Sequence, residues 1–281
     1  MYEYKERGKL LVNVFSNISE LYKYCKNTPR RVGAKNCSET EGSDFSYTRS
    51  LQESYDLLIQ GDDNLYKKFK EKNKVNITKM LGNVLNKNKI KNNIVGFQAN
   101  VPNYLLGLPD NMLYTEPKKT SQKVLNLMII CTVSAFTGID EMIEIGTIYM
   151  QVIDLLEKGG YRCNLYIGDA SQCSGEKTYC LTKIKTDREP FNIKKNIFTI
   201  MNPGFFRRIL FKWCESCNSE VEFTQDGYGR PITSDETIKS DLDKTLKGNF
   251  MIWTFQKNSN EVTIEKVLED LEKKYGIKLG D

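Results

Sequence analysis

The stretch from Lys123 to Ile167 limits the possible folds more than any other part of the chain. It opens on Val124-Leu125-Asn126-Leu127-Met128-Ile129-Ile130-Cys131, too short to cross a bilayer and apolar enough for a buried strand. A polar connection, Thr132 to Thr137, ends at Gly138. The spacing of Met142, Ile145, Tyr149, Ile153 and Leu156 then predicts one helix over Ile139 to Lys158. Ile143, Ile148, Val152 and Leu155 fall on its other faces, so it should be covered on more than one side. Gly159-Gly160 stops it, because glycine takes the left-handed conformation that helix ends often need. Tyr161, Cys163, Leu165 and Ile167 alternate with Arg162, Asn164 and Tyr166, the period of a half-buried strand. Strand, helix, strand in so few residues builds a parallel sheet with a right-handed crossover, which places the chain in the α/β class.

Composition removes several chemistries. There is no histidine, which excludes Ser-His-Asp, Cys-His and HExxH mechanisms and any zinc site that needs an imidazole. No run approaches the length of a membrane span, and Met1 to Lys9 is charged with only the short Leu10 to Phe15 behind it. The expectation is therefore a cytoplasmic protein with no membrane association. Eight scattered cysteines suit reduced thiols better than a disulfide framework, with Cys131 and Cys163 acting as small buried hydrophobes. The formal charge of +5 is uneven: nine lysines lie between Lys67 and Lys91 against one acid, Glu71. That stretch reads either as a solvated product of a lysine- and asparagine-rich composition or as a patch for nucleic acid or an acidic partner.

Taken in order, Leu10 to Phe15 reads as a short strand and Ser16 as the cap of a helix reaching Tyr24. Pro29-Arg30-Arg31 and Ser38 to Ser46 read as loop. Ser50-Leu51-Gln52-Glu53 has capping-box spacing and opens a helix ending at Gly61. Leu65 to about Leu85 reads as helix, Leu65 and Phe69 inward, broken near Asn73 to Asn76. Val101 to Met112, with Pro102 and Pro109, reads as a packed Ω-like connection docking the N-terminal part on the core. Gly168 to Glu176 reads as a polar hairpin loop between antiparallel strands Tyr161–Ile167 and Thr178–Lys185. A helix over Phe191 to Met201 follows, then a restart at Asn202-Pro203 with Phe205, Phe206, Ile209, Leu210 and Trp213 inward. Arg207, Arg208 and Lys212 point away on that reading. Gly227 to Pro231 is loop, Phe250 to Phe255 a buried strand, and Ile264 to Tyr275 a final amphipathic helix ended by Gly276.

This order of elements resembles the von Willebrand factor A-type fold, in which one antiparallel strand edges a parallel sheet. That family binds a divalent ion beyond its first strand through an aspartate followed by two serines at alternate positions. The corresponding residues are Thr132, Ser134 and Phe136, of which only Ser134 fits. The missing carboxylate removes the main charge that would hold a hard cation, so the resemblance implies neither a metal nor another cofactor here. A second resemblance rests on Val101-Pro-Asn-Tyr-Leu-Leu-Gly-Leu-Pro109…Met112 and on Gly146…Leu155-Leu156-Glu157-Lys158-Gly-Gly-Tyr-Arg162. These look like an uncharacterised family of bacteriophage and prophage proteins with a von Willebrand factor A-like core. They imply a viral origin and bring no catalytic residues. The expected organisation is a mainly helical region over 1–94, a connecting Pro/Gly segment over 95–122, and a von Willebrand factor A-like domain over 123–281. That domain is expected to hold a Rossmann-like, mostly parallel sheet with helices on both faces.

The candidate binding surface is the upper edge of the sheet, Thr132 to Gly138 with Gly168 to Gly175, and the named residues are Thr132, Ser134, Asp140 and Asp169. Arg207 and Arg208 are candidates for phosphate contact, and the backbone at Gly204 for an anion. Cys214 and Cys217 form a CxxC that Cys173 and Cys180 match too loosely for a zinc site. Three functions follow. The first is a non-enzymatic phage-type protein that binds a phage or host protein, in the host cytoplasm or the virion. The second is a nucleic-acid binder using Lys67 to Lys91 with Arg207 and Arg208. The third is a metal-dependent enzyme built on Asp140, Glu141 and Asp169.

Overall fold

The computed structural model describes residues 1–72, 90–115, 124–220, 227–256 and 262–276. Its centre is a seven-stranded sheet of β1 (Tyr2–Glu6), β2 (Leu10–Phe15), β6 (Val124–Ile130), β7 (Arg162–Cys173), β8 (Glu176–Lys185), β9 (Arg230–Pro231) and β10 (Phe250–Thr254). The order is β1-β2-β8-β7-β6-β10, with β9 paired to the far end of β7. β10, β6 and β7 run parallel, β2 runs parallel to β8, and the β1–β2, β8–β7 and β7–β9 joins are antiparallel.

Alternation along the strands sorts side chains to two faces. Leu125, Leu127 and Ile129 of β6 join Cys163, Leu165 and Ile167 of β7 in the larger core, while Met128 and Ile130 join Ala170, Tyr179 and Leu181 in the smaller one. The larger core is roofed by α1 (Ile18–Asn27), α4 (Leu51–Gln60), α5 (residues 63–72), α7 (Ile139–Lys158), α8 (Ile193–Met201) and α11 (Ile264–Tyr275). A π-helical segment, Phe205–Leu210, runs straight into α9 (Phe211–Ser216) and completes that roof. Ile238 and Leu242 of α10 (Asp235–Leu242) cover part of the other face. Helices therefore lie on both faces, unequally. The N-terminal stretch expected to be mainly helical sends β1 and β2 into this same sheet and α1 and α4 into the same core.

The long helix α7 has the expected bounds and is buried on several sides, including Thr147, Gln151 and Asp154. Gly146 explains how it sits so close to α8: a Cβ there would lie 2.4 Å from the Ile200 carbonyl oxygen. The β7–β8 hairpin is antiparallel as expected, but Gly168 to Glu176 is not a loop. Pairing continues to Cys173↔Glu176, and the chain reverses through Ser174 (φ 46°) and Gly175 (φ 90°) alone. Positive φ at both positions gives the two-residue turn whose twist matches the flanking strands. Ser50 caps α4 by accepting from the Glu53 amide at 3.1 Å, while the Glu53 carboxylate reaches back to the Arg49 amide. Leu65 and Phe69 point inward; the expected break and the later part of that helix lie outside the described residues.

One expectation fails more completely. Val101 to Met112 is not packed on the core. It contributes to a small three-stranded sheet, β3 (Ile90–Asn93), β5 (Met112–Thr115) and β4 (Gln98–Ala99), with the short helix α6 (Val101–Leu105) between β4 and β5. Backbone and amide hydrogen bonds hold it, including Asn100 N to Asn111 O at 2.7 Å and Asn111 Nδ2 to Leu108 O at 3.0 Å. Its apolar side chains are left outside: Ile94, Val95, Phe97, Tyr104, Leu105 and Leu106 are all exposed.

Candidate functional site

The upper edge forms where β6 ends and β7 runs on past it. Beyond Ile130 the chain stays tied to its neighbour by Cys131 N donating to Gly168 O at 2.8 Å. Thr132 is buried, and its hydroxyl donates to Asp169 Oδ1 at 2.7 Å while accepting from Ala170 N at 2.8 Å. Ser171 Oγ lies 2.9 Å from both Asp169 oxygens. Asp169 is thus a buried carboxylate held by two hydroxyls and, among the described residues, by no cation. Burial pushes its pKa up to about 6 from the ordinary 3.8, against the opposing pull of the Thr132 and Ser171 hydrogen bonds.

Thr132 and Asp169 therefore meet, and Ser134 and Asp140 stand apart from them on the surface. Ser134 Oγ accepts from Phe136 N at 3.4 Å in a local turn, and Asp140 sits in the first turn of α7, where an acid suits the helix dipole. Among the described residues no group of three or more His, Cys, Asp or Glu side chains gathers as a metal site would require. Phe136, at the crest of the loop, is 98% exposed.

Arg207 and Arg208 overturn the expectation of a solvated basic face. They are 2% and 0% exposed. Arg208 donates to Thr48 Oγ1 (2.9 Å), Ser38 O (2.9 Å), Glu41 O (2.8 Å) and Thr48 O (2.7 Å). Arg207 donates to Phe45 O and Thr137 O, each at 2.6 Å, and lies 4.1 Å above the Phe45 ring. The physical reason is a second cover. Two short helices, α2 (Cys37–Thr40) and α3 (Ser43–Ser46), and the loops around them fold over the outer side of the π-helical segment and present carbonyls to the guanidiniums. Lys212 is buried as well. The Gly204 amide, considered for an anion, donates to its own cap at Asn202 Oδ1, 2.7 Å away.

The same cover organises a network with no signature in the sequence. Glu215, fully buried, accepts from Ser38 N (2.8 Å), Ser38 Oγ (2.6 Å), Tyr228 OH (2.6 Å) and Arg30 Nε (3.4 Å). Tyr228 has φ 69°, a conformation that L-residues rarely adopt, and stacks on Phe211 with ring centroids 4.0 Å apart. Between this network and the upper edge lies a cavity of ≈ 300 Å³, lined among others by Lys35, Phe45, Ser134, Arg207, Phe211 and Tyr228. None of the eight cysteines is in a disulfide, and burial pushes the thiols of Cys214 and Cys180 well above their ordinary value, which suits packing rather than reactivity.

The class defined by these features is a mixed α/β domain with a parallel centre and no helix among the described residues long and apolar enough to cross a membrane. The chain belongs to the family described as Domain of unknown function (DUF7192), which matches residues 3–278. No curated protein and no solved structure matches it.

Proposed function

We propose that the chain is a non-enzymatic protein-binding domain of von Willebrand factor A-like type and phage origin. It acts in virion assembly or structure, or against a host factor, in the host cytoplasm or the particle. The parallel run β7-β6-β10, with β8 antiparallel beside β7, supports the fold reading; here β8 is not the edge, because β2 and β1 extend the sheet beyond it. Thr132 in place of the family's aspartate, with Asp169 held by hydroxyls, supports binding without a cation.

One observation carries the binding reading: large apolar side chains stand in solvent on a small sheet of their own. Leu105 and Leu106 are 78% and 74% exposed, beside Ile94, Val95, Phe97 and Tyr104, and the upper edge adds Phe136. Burying a side chain of this size on a partner is worth about 1.5–3 kcal/mol. Soluble monomers rarely leave such groups contiguous without a use.

Pull-down from cells expressing the gene, using the wild-type chain and a Leu105→Ser/Leu106→Ser variant, tests this. The expected result is a protein recovered by the first and lost with the second, little changed by added salt. Equal recovery by both removes the reading. Recovery of nucleic acid that falls steeply with salt would instead favour the exposed lysines of α5, Lys67, Lys68, Lys70 and Lys72. Lys74 to Lys89 of that basic stretch lie outside the described residues.

A further inference from the structure

Arg207 is a buried cation without a counter-ion. Both its terminal nitrogens donate to neutral backbone carbonyls, its third neighbour is an aromatic ring, and its Nε has no hydrogen-bond acceptor. Among the described residues no carboxylate pairs with it. Taking a charge out of water is costly unless it is paired and its donors are used. Burial alone accordingly pushes its pKa down to about 10. Arg208, beside it in sequence, donates through all three of its nitrogens. The contrast singles out Arg207.

This side chain lines the ≈ 300 Å³ cavity above the end of β6. Open α/β sheets bind ligands beyond the carboxyl ends of their strands, and the volume matches the low end of small-molecule pockets. The other walls are specific in character. Phe45, Phe206 and Phe211 supply flat apolar surface, and Tyr228 is held in a left-handed backbone conformation by its stack and its bond to Glu215. Strain of that kind costs of order 1–3 kcal/mol and persists where its surroundings over-determine it. Lys35 adds a second cation to the lining, and Glu41 adds the acid. One net positive charge suits a single charged head group, and the carboxylate disfavours a polyphosphate.

We propose that this cavity binds a small organic oxyanion, whose carboxylate or phosphate head pairs with Arg207 while a flat apolar body lies against Phe45, Phe206 and Phe211. The site is independent of the protein-binding surface on α6 and its neighbours.

The test uses the full ¹⁵N-labelled chain. The Arg207 Nε–H resonance, assigned by its loss in Arg207→Lys, is followed during titration with benzoate, phenyl phosphate, inorganic phosphate and benzyl alcohol. Benzoate or phenyl phosphate should shift it saturably, with a dissociation constant of roughly 1 mM or tighter. Benzyl alcohol should leave it unmoved. Whichever aromatic anion binds more tightly identifies the head group. By calorimetry, Arg207→Gln should weaken that binding at least about tenfold, the charge-assisted pair being lost. Should Arg207→Gln fail to fold, Ala135→Phe, at the exposed rim of the cavity, decides the matter by filling it. The proposal is overturned by no saturable shift up to roughly 10 mM of either aromatic anion. It is equally overturned by comparable binding of benzyl alcohol, by inorganic phosphate alone binding as tightly, or by undiminished affinity in Ala135→Phe.

Discussion

Residues 205–216 and residues 94–108 are inverted with respect to each other. In the first, two arginines and a glutamate lie inside the protein; in the second, leucines and a phenylalanine lie outside it. Both segments have apolar residues at intervals that would suit a half-buried element, so the difference does not arise within either. It arises from what folds over them. The π-helical segment and α9 receive a second layer from residues 36–48, which meets Arg207, Arg208 and Glu215 with carbonyls, hydroxyls or an amide. Among the described residues, 94–108 receive no comparable layer. Burial is decided by distant chain, and polar groups tolerate it when that chain brings partners.

The largest expected effect sharpens the buried half of this comparison. Arg208→Ala takes the guanidinium donors from the carbonyls of Ser38, Glu41 and Thr48, of which Thr48 keeps the Ser46 hydroxyl, and opens a hole where a large side chain stood. Stability to urea should fall by about 3–5 kcal/mol, and Arg208→Lys should recover only part, having no planar fork. A loss below about 1 kcal/mol would mean that the cover over the π-helical segment is loose, and the contrast between the two regions would dissolve.

Asp169 gives the next effect, through pH. Its folded pKa of about 6 exceeds the ordinary 3.8, so the folded chain holds a proton over this window that the unfolded chain has released. The stability this provides is fully present below pH 3.8 and is lost as pH rises through about 6, by roughly 2–3 kcal/mol. Asp169→Asn keeps an oxygen for Thr132 and should flatten that slope, leaving the variant more stable than wild type at pH 7. Unfolding midpoints at pH 4, 5, 6 and 7 read this directly. A wild-type slope of the opposite sign would show that a cation pairs with the carboxylate. Tyr228→Phe should cost less, about 1–2 kcal/mol, because Glu215 loses one of four donors while the stack on Phe211 stays.

Much of the frame was legible in the sequence because it depends on local pattern. The period of Ile139 to Lys158, its glycine stop, the alternation from Arg162 and the Asn202-Pro203 restart all carry their own stereochemistry. Of the site, Thr132 and Asp169 were read as lying on one edge, and the structure joins them by a hydrogen bond. Arg207, Arg208 and the Glu215–Tyr228–Ser38 network were out of reach for one physical reason: their partners lie more than a hundred residues away, except for Tyr228 beside Glu215 and for Thr137. A helical wheel places arginine outward because it has no knowledge of a second cover. The extent of the hairpin was missed differently. Gly168 to Glu176 is polar because Asp169, Ser171 and Glu176 are hydrogen-bonded within the strands, not because it is loop.

The smallest expected change tests the exposed half. Leu127→Ala, in the core of β6, should cost about 2–5 kcal/mol, since neighbours relax only partly around the hole. Leu105→Ser/Leu106→Ser alters two leucines more severely, yet both stand in solvent, so their transfer was never gained on folding. The expected change in unfolding free energy is within about 0.5 kcal/mol, with an unchanged denaturant slope. The measurement has to be made at two protein concentrations, because a second copy docking on these leucines would make stability rise with concentration. A concentration-independent cost above about 1 kcal/mol would mean that this small sheet buries its leucines against the rest of the chain in solution. The two regions would then obey one rule of coverage, and the surface assigned to a partner would belong to the fold.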